Sequence, residues 1–261
     1  MVWRIEGPRS IAVGGTYNST MIPRFFCPTP LRPGVISVLP EAISNHVVRV
    51  LRLKVYDHLT LFDGTGGEYL AQLVSAGRKA EVEVIAFDPV ERESPIVVHL
   101  AQSLAVADKM DWVVQKAVEL GVSAIVPVAS ERSVLKLAGE RAAKRVAHWQ
   151  AVAVAACEQC GRNRIPRVDE VQDLRQLLAA GPELGARYIL APGAESRPGN
   201  LPRPVGVVTV LVGPEGGFSP AELGAAAAQG WHPLGMGPRI LRTETAGLAV
   251  LSALNTRFGD A

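Results

Sequence analysis

The sequence lacks several features that identify whole classes of protein. Aromatic residues make up 5% of its 261 residues, and 27 basic against 25 acidic side chains leave a net charge of only +2. A protein that binds nucleic acid over most of its surface usually has a larger basic excess, so any such contact must come from a local patch. No apolar run approaches the roughly 20 residues that span a bilayer. Residues 1–20 also lack the long apolar stretch of a signal peptide.

Cysteine is scarce as well. The three residues show no framework spacing, which favours a reducing, cytoplasmic location. Cys157 and Cys160 form a CEQC pair, a pattern found in redox and zinc sites. A zinc site needs about four ligands, however, and neither a second pair nor a histidine spacing supplies them. We therefore interpret both thiols as buried residues of a helix and predict no metal site.

The first third of the chain is rich in short strands and turns. Residues 1–20 are aperiodic and are predicted to be a leader or disordered extension, and a cleaner pattern begins at Met21. From there to residue 92, segments such as HLTLFDG and KAEVEVIAF predict strands, with one helical insert at EAISNHVVRVLR. Strands at such close spacing indicate a small β-barrel. The polar stretch 88–95 with its two prolines marks the domain boundary.

The remainder, residues 93–261, alternates buried strands with helices. IVVHLAQSLA, SAIVPVAS and VGVVTVLVG are near-continuous apolar runs, as in strands that are buried on both faces. Amphipathic helical segments such as KMDWVVQKAVELG separate them. This alternation predicts a mostly parallel α/β domain.

One loop in this domain has few side chains, because it consists largely of glycine. In LVGPEGGFSPAEL, residues 211–223, a strand ends in a first glycine loop (residues 213–217), and a helix follows. Ser219 at the N-cap, Pro220 next and Glu222 three positions later form a capping box. The P-loop lysine and the G-x-G-x-x-G fingerprint are both absent. Taken alone, this loop fits a tight turn or a ligand site equally well.

A second loop has the same plan. WHPLGMGPRILRTETAGLAVL, residues 231–251, contains a short strand, a second glycine loop (residues 235–242) and a helix with Thr243 as a plausible N-cap. Loops at the carboxyl ends of strands form the ligand sites of open α/β sheets. We therefore expect the two loops to wall one pocket that binds a purine and an amino-acid tail through main-chain atoms.

The two loops together resemble those of the SPOUT superfamily of S-adenosylmethionine-dependent RNA methyltransferases. More narrowly, the chain resembles the bacterial family that methylates N3 of a 16S ribosomal RNA uridine, named for position 1498. IPRFF, NHVVRVLRLKVYD, QKAVELGV and CEQCGRNRIP match that family in order, from Met21 nearly to the end. The resemblance implies a PUA-like β-barrel at 21–92 and a SPOUT α/β domain with a trefoil knot at 93–261. It also implies a homodimer that acts on 16S rRNA or the small ribosomal subunit.

The resemblance also implies roles for individual residues. Arg242 would stabilise the negative charge of a uracil that has lost its N3 proton, although a salt bridge to Glu215 or Glu244 is the alternative. Glu244 is a candidate base, or only a first-turn helix charge. The implied contacts of S-adenosylmethionine are Leu190, Ala191, Leu211, Val212, Gly213, Pro214, Glu215, Gly217, Leu234, Gly235, Ile240, Leu241, Arg242, Thr245 and Ala246. The implied RNA contacts are Arg24, Arg49, Arg52, Arg162 and Arg164.

Other functions fit parts of the pattern. A SPOUT enzyme that methylates another RNA atom, such as ribose O2′, would share the same loops. An RNA-binding module with an inactive pocket would share the same two domains. A small-molecule enzyme that uses an adenine nucleotide is disfavoured by the absent phosphate-binding lysine and by the appended N-terminal domain.

Overall fold

The computed structural model describes residues 22–181 and 185–261, so the predicted leader at 1–20 lies outside the described residues. The described chain forms two sheets, one in an N-terminal domain and one in a C-terminal domain. No helix among these residues is long and apolar enough to cross a membrane.

The N-terminal domain is a five-stranded sheet with one helical segment packed against it. Its strands are β1 (Arg24–Phe26), β2 (Ile36–Val38), β3 (His58–Phe62), β4 (Glu68–Ala76) and β5 (Ala80–Asp88). They lie in the order β1-β3-β4-β5-β2, with only the β1–β3 pair parallel. In this order the sheet is open, where the sequence led us to expect a closed barrel. The two edge strands have three residues each, which limits the hydrogen-bond ladder that either can offer for closure.

The helical insert is shorter than its sequence period suggests. Helix α1 (Glu41–Asn45) continues into a π-helical turn (His46–Val50). Ile43 and Val47 pack into the domain core, as the period predicts, but Val50 and Leu51 are exposed. A π-helical turn widens the repeat beyond 3.6 residues, so the positions that follow it rotate away from the buried face.

The C-terminal domain is a parallel sheet with helices, as predicted. Its strands run in the order β12-β10-β11-β6-β7-β8, with β9 also paired to β7, and each pair is parallel. The elements in chain order are β6 (Val97–Ser103), α2 (Ala107–Glu119), β7 (Ala124–Ala129), α3 (Gly139–Cys160), β8 (Arg167–Val168), β9 (Gln172–Asp173), α4 (Leu174–Ala179), β10 (Ala186–Leu190), a 3₁₀ turn (Pro198–Asn200), β11 (Val207–Val212), α5 (Pro220–Ala228), β12 (His232–Leu234) and α6 (Thr243–Phe258).

The central strands bury both of their faces. On β11, Val210 packs into one core cluster together with Leu254 of α6, while Leu211 packs into another with Leu177 and Trp231. Two-sided burial explains why these strands are continuous apolar runs in the sequence. The parallel pairing of β10 with β11 and with β12 brings the carboxyl ends of these three strands side by side at one edge.

Candidate functional site

A cavity of about 540 Å³ opens at the edge where three neighbouring strands end. Ile189 of β10 lies opposite Leu211 of β11, and Leu190 lies opposite Leu234 of β12. Because the strands are parallel, the chain leaves all three in the same direction. Both glycine loops line this cavity, together with the residues that follow β10.

Most of the residues implied as cofactor contacts line this cavity, and three do not. Leu211 is fully buried in the core beneath the cavity, while Gly235 and Thr245 are outside its lining. The implied residues that do line it are Leu190, Ala191, Val212, Gly213, Pro214, Glu215, Gly217, Leu234, Ile240, Leu241, Arg242 and Ala246. Five further lining residues belong to segments that the sequence led us to expect around the cofactor: Pro192, Gly216, Met236, Gly237 and Arg239. The residues that were not anticipated are Lys109, Phe218, Leu223 and Thr243.

The first glycine loop is built as its sequence predicts. Ser219 Oγ accepts a hydrogen bond from the backbone N–H of Glu222, and the Glu222 carboxylate accepts one from the backbone N–H of Ser219. This capping box fixes the start of α5. Gly217 adopts φ +65°, which a side chain would disfavour, and no atom lies within 4 Å of where its Cβ would be. Its missing side chain therefore leaves backbone open to the cavity.

The second glycine loop uses its glycines differently. A Cβ on Gly235 would lie 2.5 Å from the carbonyl oxygen of Ala194, and the Gly235 N–H donates to the Ser196 carbonyl at 2.9 Å. Gly235 is thus required by close packing against the loop that follows β10. Gly237, at φ +102°, has open space instead, because no atom lies within 4 Å of the point that a Cβ would occupy. The sequence does not distinguish these two reasons for glycine.

Thr243 joins the two loops instead of capping a helix. Its hydroxyl donates to the Gly213 carbonyl at 2.5 Å and accepts from Gln102 Nε2 at 2.8 Å. Arg242 occupies the N-cap position of α6 without a side-chain capping bond, so the N-cap prediction for Thr243 is wrong by one residue. The Thr243 hydroxyl is unavailable to the helix terminus because it binds the neighbouring loop.

Lys109 is the charged group that sequence reasoning missed. It lies in the first turn of α2, and its Nζ is 3.2 Å from Glu215 Oε1 and 3.4 Å from Glu244 Oε2. The hydrogen bond to Glu215 raises the pKa of Lys109, so the ammonium stays charged at neutral pH. The sequence pointed to Lys109 only indirectly: a helix that follows β6 begins at the edge where the strands end, and Lys109 lies in its first turn.

The two glutamates are therefore partners of Lys109. Burial tends to raise the pKa of Glu215, but hydrogen bonds from its own backbone, from Lys109 and from the Val106 N–H outweigh it and lower the pKa. Neither glutamate forms an ion pair with Arg242 among the described residues. Arg242 is exposed and lines the cavity. Glu244 does not line the cavity, and its buried Oε2 atom faces the Lys109 ammonium.

Two of the implied RNA contacts lie at the junction between the domains. Arg162 is 4% exposed, and its guanidinium binds Glu93 and the carbonyls of Val118 and Val122. Arg24 binds Glu68 at 2.5 Å and the Arg162 carbonyl at 2.8 Å. The bond from Arg24 to the Arg162 carbonyl joins the two domains, while the Arg162 guanidinium is enclosed within the C-terminal domain, so the surroundings of both arginines argue for a structural role and against RNA contact.

The other implied RNA contacts are accessible. The Arg164 side chain is 57% exposed and lies 3.6 Å from Glu91. Arg49 and Arg52 are exposed on the segment that follows α1, and Arg52 has φ +55°. Lys54 and Tyr56 are exposed on the same segment, and Tyr56, at φ +78°, is 74% exposed. RNA contact stays a prediction for Arg49, Arg52 and Arg164.

The cysteine pair lies at the end of α3, where Gly161 ends the helix at φ +87°. Burial raises the pKa of the Cys157 thiol to about 12, and Cys160 is half-buried. No group of three or more potential metal ligands occurs among the described residues.

Family models match both domains. One described as an RNA methyltransferase domain matches residues 92–255, and one described as an RNA methyltransferase PUA domain matches residues 39–85. Ribosomal RNA small subunit methyltransferase E from Buchnera aphidicola is 32% identical over 92% of this chain and 98% of its own length.

Two solved structures are similar over nearly the whole chain. A ribosomal RNA small subunit methyltransferase E from Neisseria gonorrhoeae, bound to S-adenosylmethionine, is 40% identical with a TM-score of 0.86, covering 92% of this chain and 99% of that one. A methyltransferase from Legionella pneumophila, also with bound S-adenosylmethionine, is 36% identical with a TM-score of 0.88, covering 93% and 100%. By these matches, the chain belongs to the RNA methyltransferase family that includes ribosomal RNA small subunit methyltransferase E.

Proposed function

We propose that this protein transfers the methyl group of S-adenosylmethionine to N3 of one uridine in 16S rRNA. The observation that carries the proposal is the meeting of two glycine loops around one cavity, in a chain of this family. Relatives named ribosomal RNA small subunit methyltransferase E, one of them solved with S-adenosylmethionine, support both the substrate class and the cofactor. Ribosomal RNA as substrate also supports a cytoplasmic location.

The cavity suits this cofactor in size and in chemistry. Its volume of about 540 Å³ lies within the roughly 300–1,000 Å³ of small-molecule sites. Leu190 and Ile240 offer apolar surface for a purine, with the buried Leu234 in the wall behind them, and the open backbone at Gly217 and Gly237 leaves room for main-chain contact. S-adenosylmethionine contains no phosphate, so its recognition does not require the P-loop lysine that this chain lacks.

When bound, the cofactor supplies a methyl group that is already activated by its sulfonium. The remaining work of the protein is to align the uracil N3 and to favour its deprotonated form. Good alignment contributes roughly 7–11 kcal/mol in intramolecular reference reactions. We propose that the exposed Arg242 guanidinium, at the N-terminus of α6, stabilises the negative charge on the uracil. Glu244 faces Lys109 and lies outside the cavity lining, so we propose that water accepts the N3 proton.

We propose that RNA contacts the surface formed by residues 49–56 of the N-terminal domain. Arg49, Arg52 and Lys54 are exposed there, and they form no ion pair among the described contacts. The exposed Tyr56 ring offers a face on which an unpaired base can stack. The positive φ of Tyr56 is costly for a residue of this size, which favours a functional reason for the ring.

Two finer features of the family belong to the same proposal. We propose a trefoil knot where the second glycine loop runs against the loop after β10, a contact made by the Gly235–Ser196 hydrogen bond. We also propose a homodimer, which light scattering on a sizing column would test directly: a mass near twice 27.8 kDa supports it, and a monomer contradicts it.

The test of the reaction is a primer-extension assay. The protein is incubated with S-adenosylmethionine and either 16S rRNA or small ribosomal subunits, and the RNA is then reverse transcribed. A methyl group on N3 blocks the Watson–Crick edge, so we expect one new stop at a single uridine. Incorporation of labelled methyl without any stop would instead place the methyl group on an atom outside the Watson–Crick edge, such as ribose O2′. No incorporation, with intact cofactor binding, would favour an RNA-binding module.

A further inference from the structure

Lys109 stands where three separate pieces of the cavity wall meet. From α2, its ammonium reaches Glu215 in the first glycine loop and Glu244 in the first turn of α6, directly after the second. These side chains are 29%, 25% and 19% exposed, respectively, so solvent screens the ion pairs only in part. One cation on α2 therefore contacts two segments that lie more than a hundred residues further along the sequence.

Both carboxylates depend on this cation, and Glu244 depends on it more. The Oε2 atom of Glu244 is buried, and the Lys109 ammonium, 3.4 Å away, is its compensating charge. The Glu215 carboxylate also accepts hydrogen bonds from its own backbone and from the Val106 N–H, the latter at 3.5 Å. Removal of the ammonium would leave uncompensated negative charge in a partly buried site, which destabilises the segments that carry the two carboxylates.

We infer that Lys109 is a positioning residue, whose ammonium ties the first glycine loop and the start of α6, directly after the second loop, to α2 and so holds the cavity in the shape that the cofactor requires. This inference rests on the proposed function, because it takes these loops as the walls of the cofactor site. The bridge acts on the loops and not on the ligand directly. It should therefore matter equally for S-adenosylmethionine and for its product S-adenosylhomocysteine.

A purely electrostatic role predicts a different result. Lys109, Glu215 and Glu244 together carry a net charge of −1 beside the cavity proposed for a cofactor that carries a sulfonium cation. If charge alone mattered, removing the ammonium would make this site more negative and would tighten binding of the cationic cofactor. The neutral thioether product would be unaffected. The two explanations thus differ in the sign of the change.

Calorimetric titration of both ligands separates the two roles. We expect Lys109→Met to weaken both ligands by the same factor, about three- to tenfold for two partly exposed ion pairs. Lys109→Arg, which keeps charge and reach, should restore binding. Lys116→Met is the matched control, because Lys116 lies on the same helix in a 2.7 Å ion pair with Glu119 and outside the cavity lining. It should bind both ligands like the wild type.

Two outcomes would overturn the inference. Unchanged affinities in Lys109→Met would mean that the ion pairs of Lys109 do not hold the site in shape. Tighter binding of S-adenosylmethionine with unchanged binding of S-adenosylhomocysteine would mean that only charge matters. A cycle with Glu244→Gln adds an independent check, since strictly additive effects would show that Lys109 does not act through Glu244. Failure of the wild type to bind either ligand would instead overturn the proposed function.

Discussion

The Thr243 hydroxyl donates a 2.5 Å hydrogen bond to the Gly213 carbonyl and so joins the two glycine loops directly. Gln102, at the end of β6, donates to the same hydroxyl at 2.8 Å. Thr243 and Gln102 are both buried, so water does not compete for these bonds. The central sheet therefore sets the relative position of both loops through a single side chain.

Replacing Thr243 by valine keeps its shape and removes both bonds. The Gly213 carbonyl then loses this donor, and Gln102 Nε2 keeps only its 3.1 Å hydrogen bond to the Ser103 carbonyl, so we expect the free energy of unfolding to fall by about 1–3 kcal/mol. Cofactor affinity should fall about tenfold, because the loops lose their link. Urea denaturation and calorimetry measure the two effects. Thr256→Val, at an exposed position on the same helix, should change neither; wild-type affinity in Thr243→Val would contradict the link.

Adding one methyl group at two glycines should have opposite effects. Gly235→Ala places a Cβ against the Ala194 carbonyl, and such overpacking costs about 1–3 kcal/mol. Gly224 lies in α5 with open space around it, so Gly224→Ala should stabilise the protein by about 0.5–1 kcal/mol. Urea denaturation of both variants checks the signs. Equal changes in the free energy of unfolding would mean that close packing does not require glycine at position 235.

Replacing Arg242 by glutamine should impair the chemical step. If its guanidinium stabilises the uracil anion, kcat should fall about 10²-fold or more, while the Kd of the cofactor changes little. Methyl incorporation into rRNA and calorimetry give the two quantities. Arg175→Gln, at an exposed position on α4, is the control. A raised Kd with normal kcat would assign Arg242 to cofactor binding.

The exposed Tyr56 ring should contribute to RNA affinity. Stacking of one base is worth about 1–3 kcal/mol, so Tyr56→Ala should weaken binding of a single-stranded 16S fragment about tenfold or more. Tyr56→Phe keeps the ring and should bind normally. Fluorescence anisotropy measures both. The proposed surface would be wrong if the alanine variant bound RNA as tightly as the phenylalanine variant.

The two cysteines of the CEQC pair should differ in reactivity. Because burial raises the pKa of Cys157 to about 12, this residue is a neutral thiol at pH 8, and the thiolate forms only as the pH approaches that value. We expect iodoacetamide to label the half-buried Cys160 and to leave Cys157 unmodified in the folded protein. Peptide mass mapping reads out both sites. Equal labelling would reopen a redox role for the pair.

The sequence by itself determined the elements and the edge at which the site lies. The apolar runs of β6, β7 and β11 predicted strands buried on both faces, and Ser219 with Glu222 predicted the start of α5. These features are local, because strand burial and helix capping depend on residues a few positions apart. Parallel strands that end in glycine loops then predicted a ligand site at their carboxyl ends.

Only the tertiary structure decided which side chains meet at that edge and at the domain junction. Lys109 reaches two glutamates more than a hundred residues away, and Arg162, a predicted RNA contact, is enclosed by Glu93 and two backbone carbonyls. The open N-terminal sheet, and the N-cap of α6 at Arg242 in place of Thr243, could not be predicted from the sequence either. A periodic pattern reports whether a position is buried, but the partner of a charge or a hydroxyl depends on how distant elements pack.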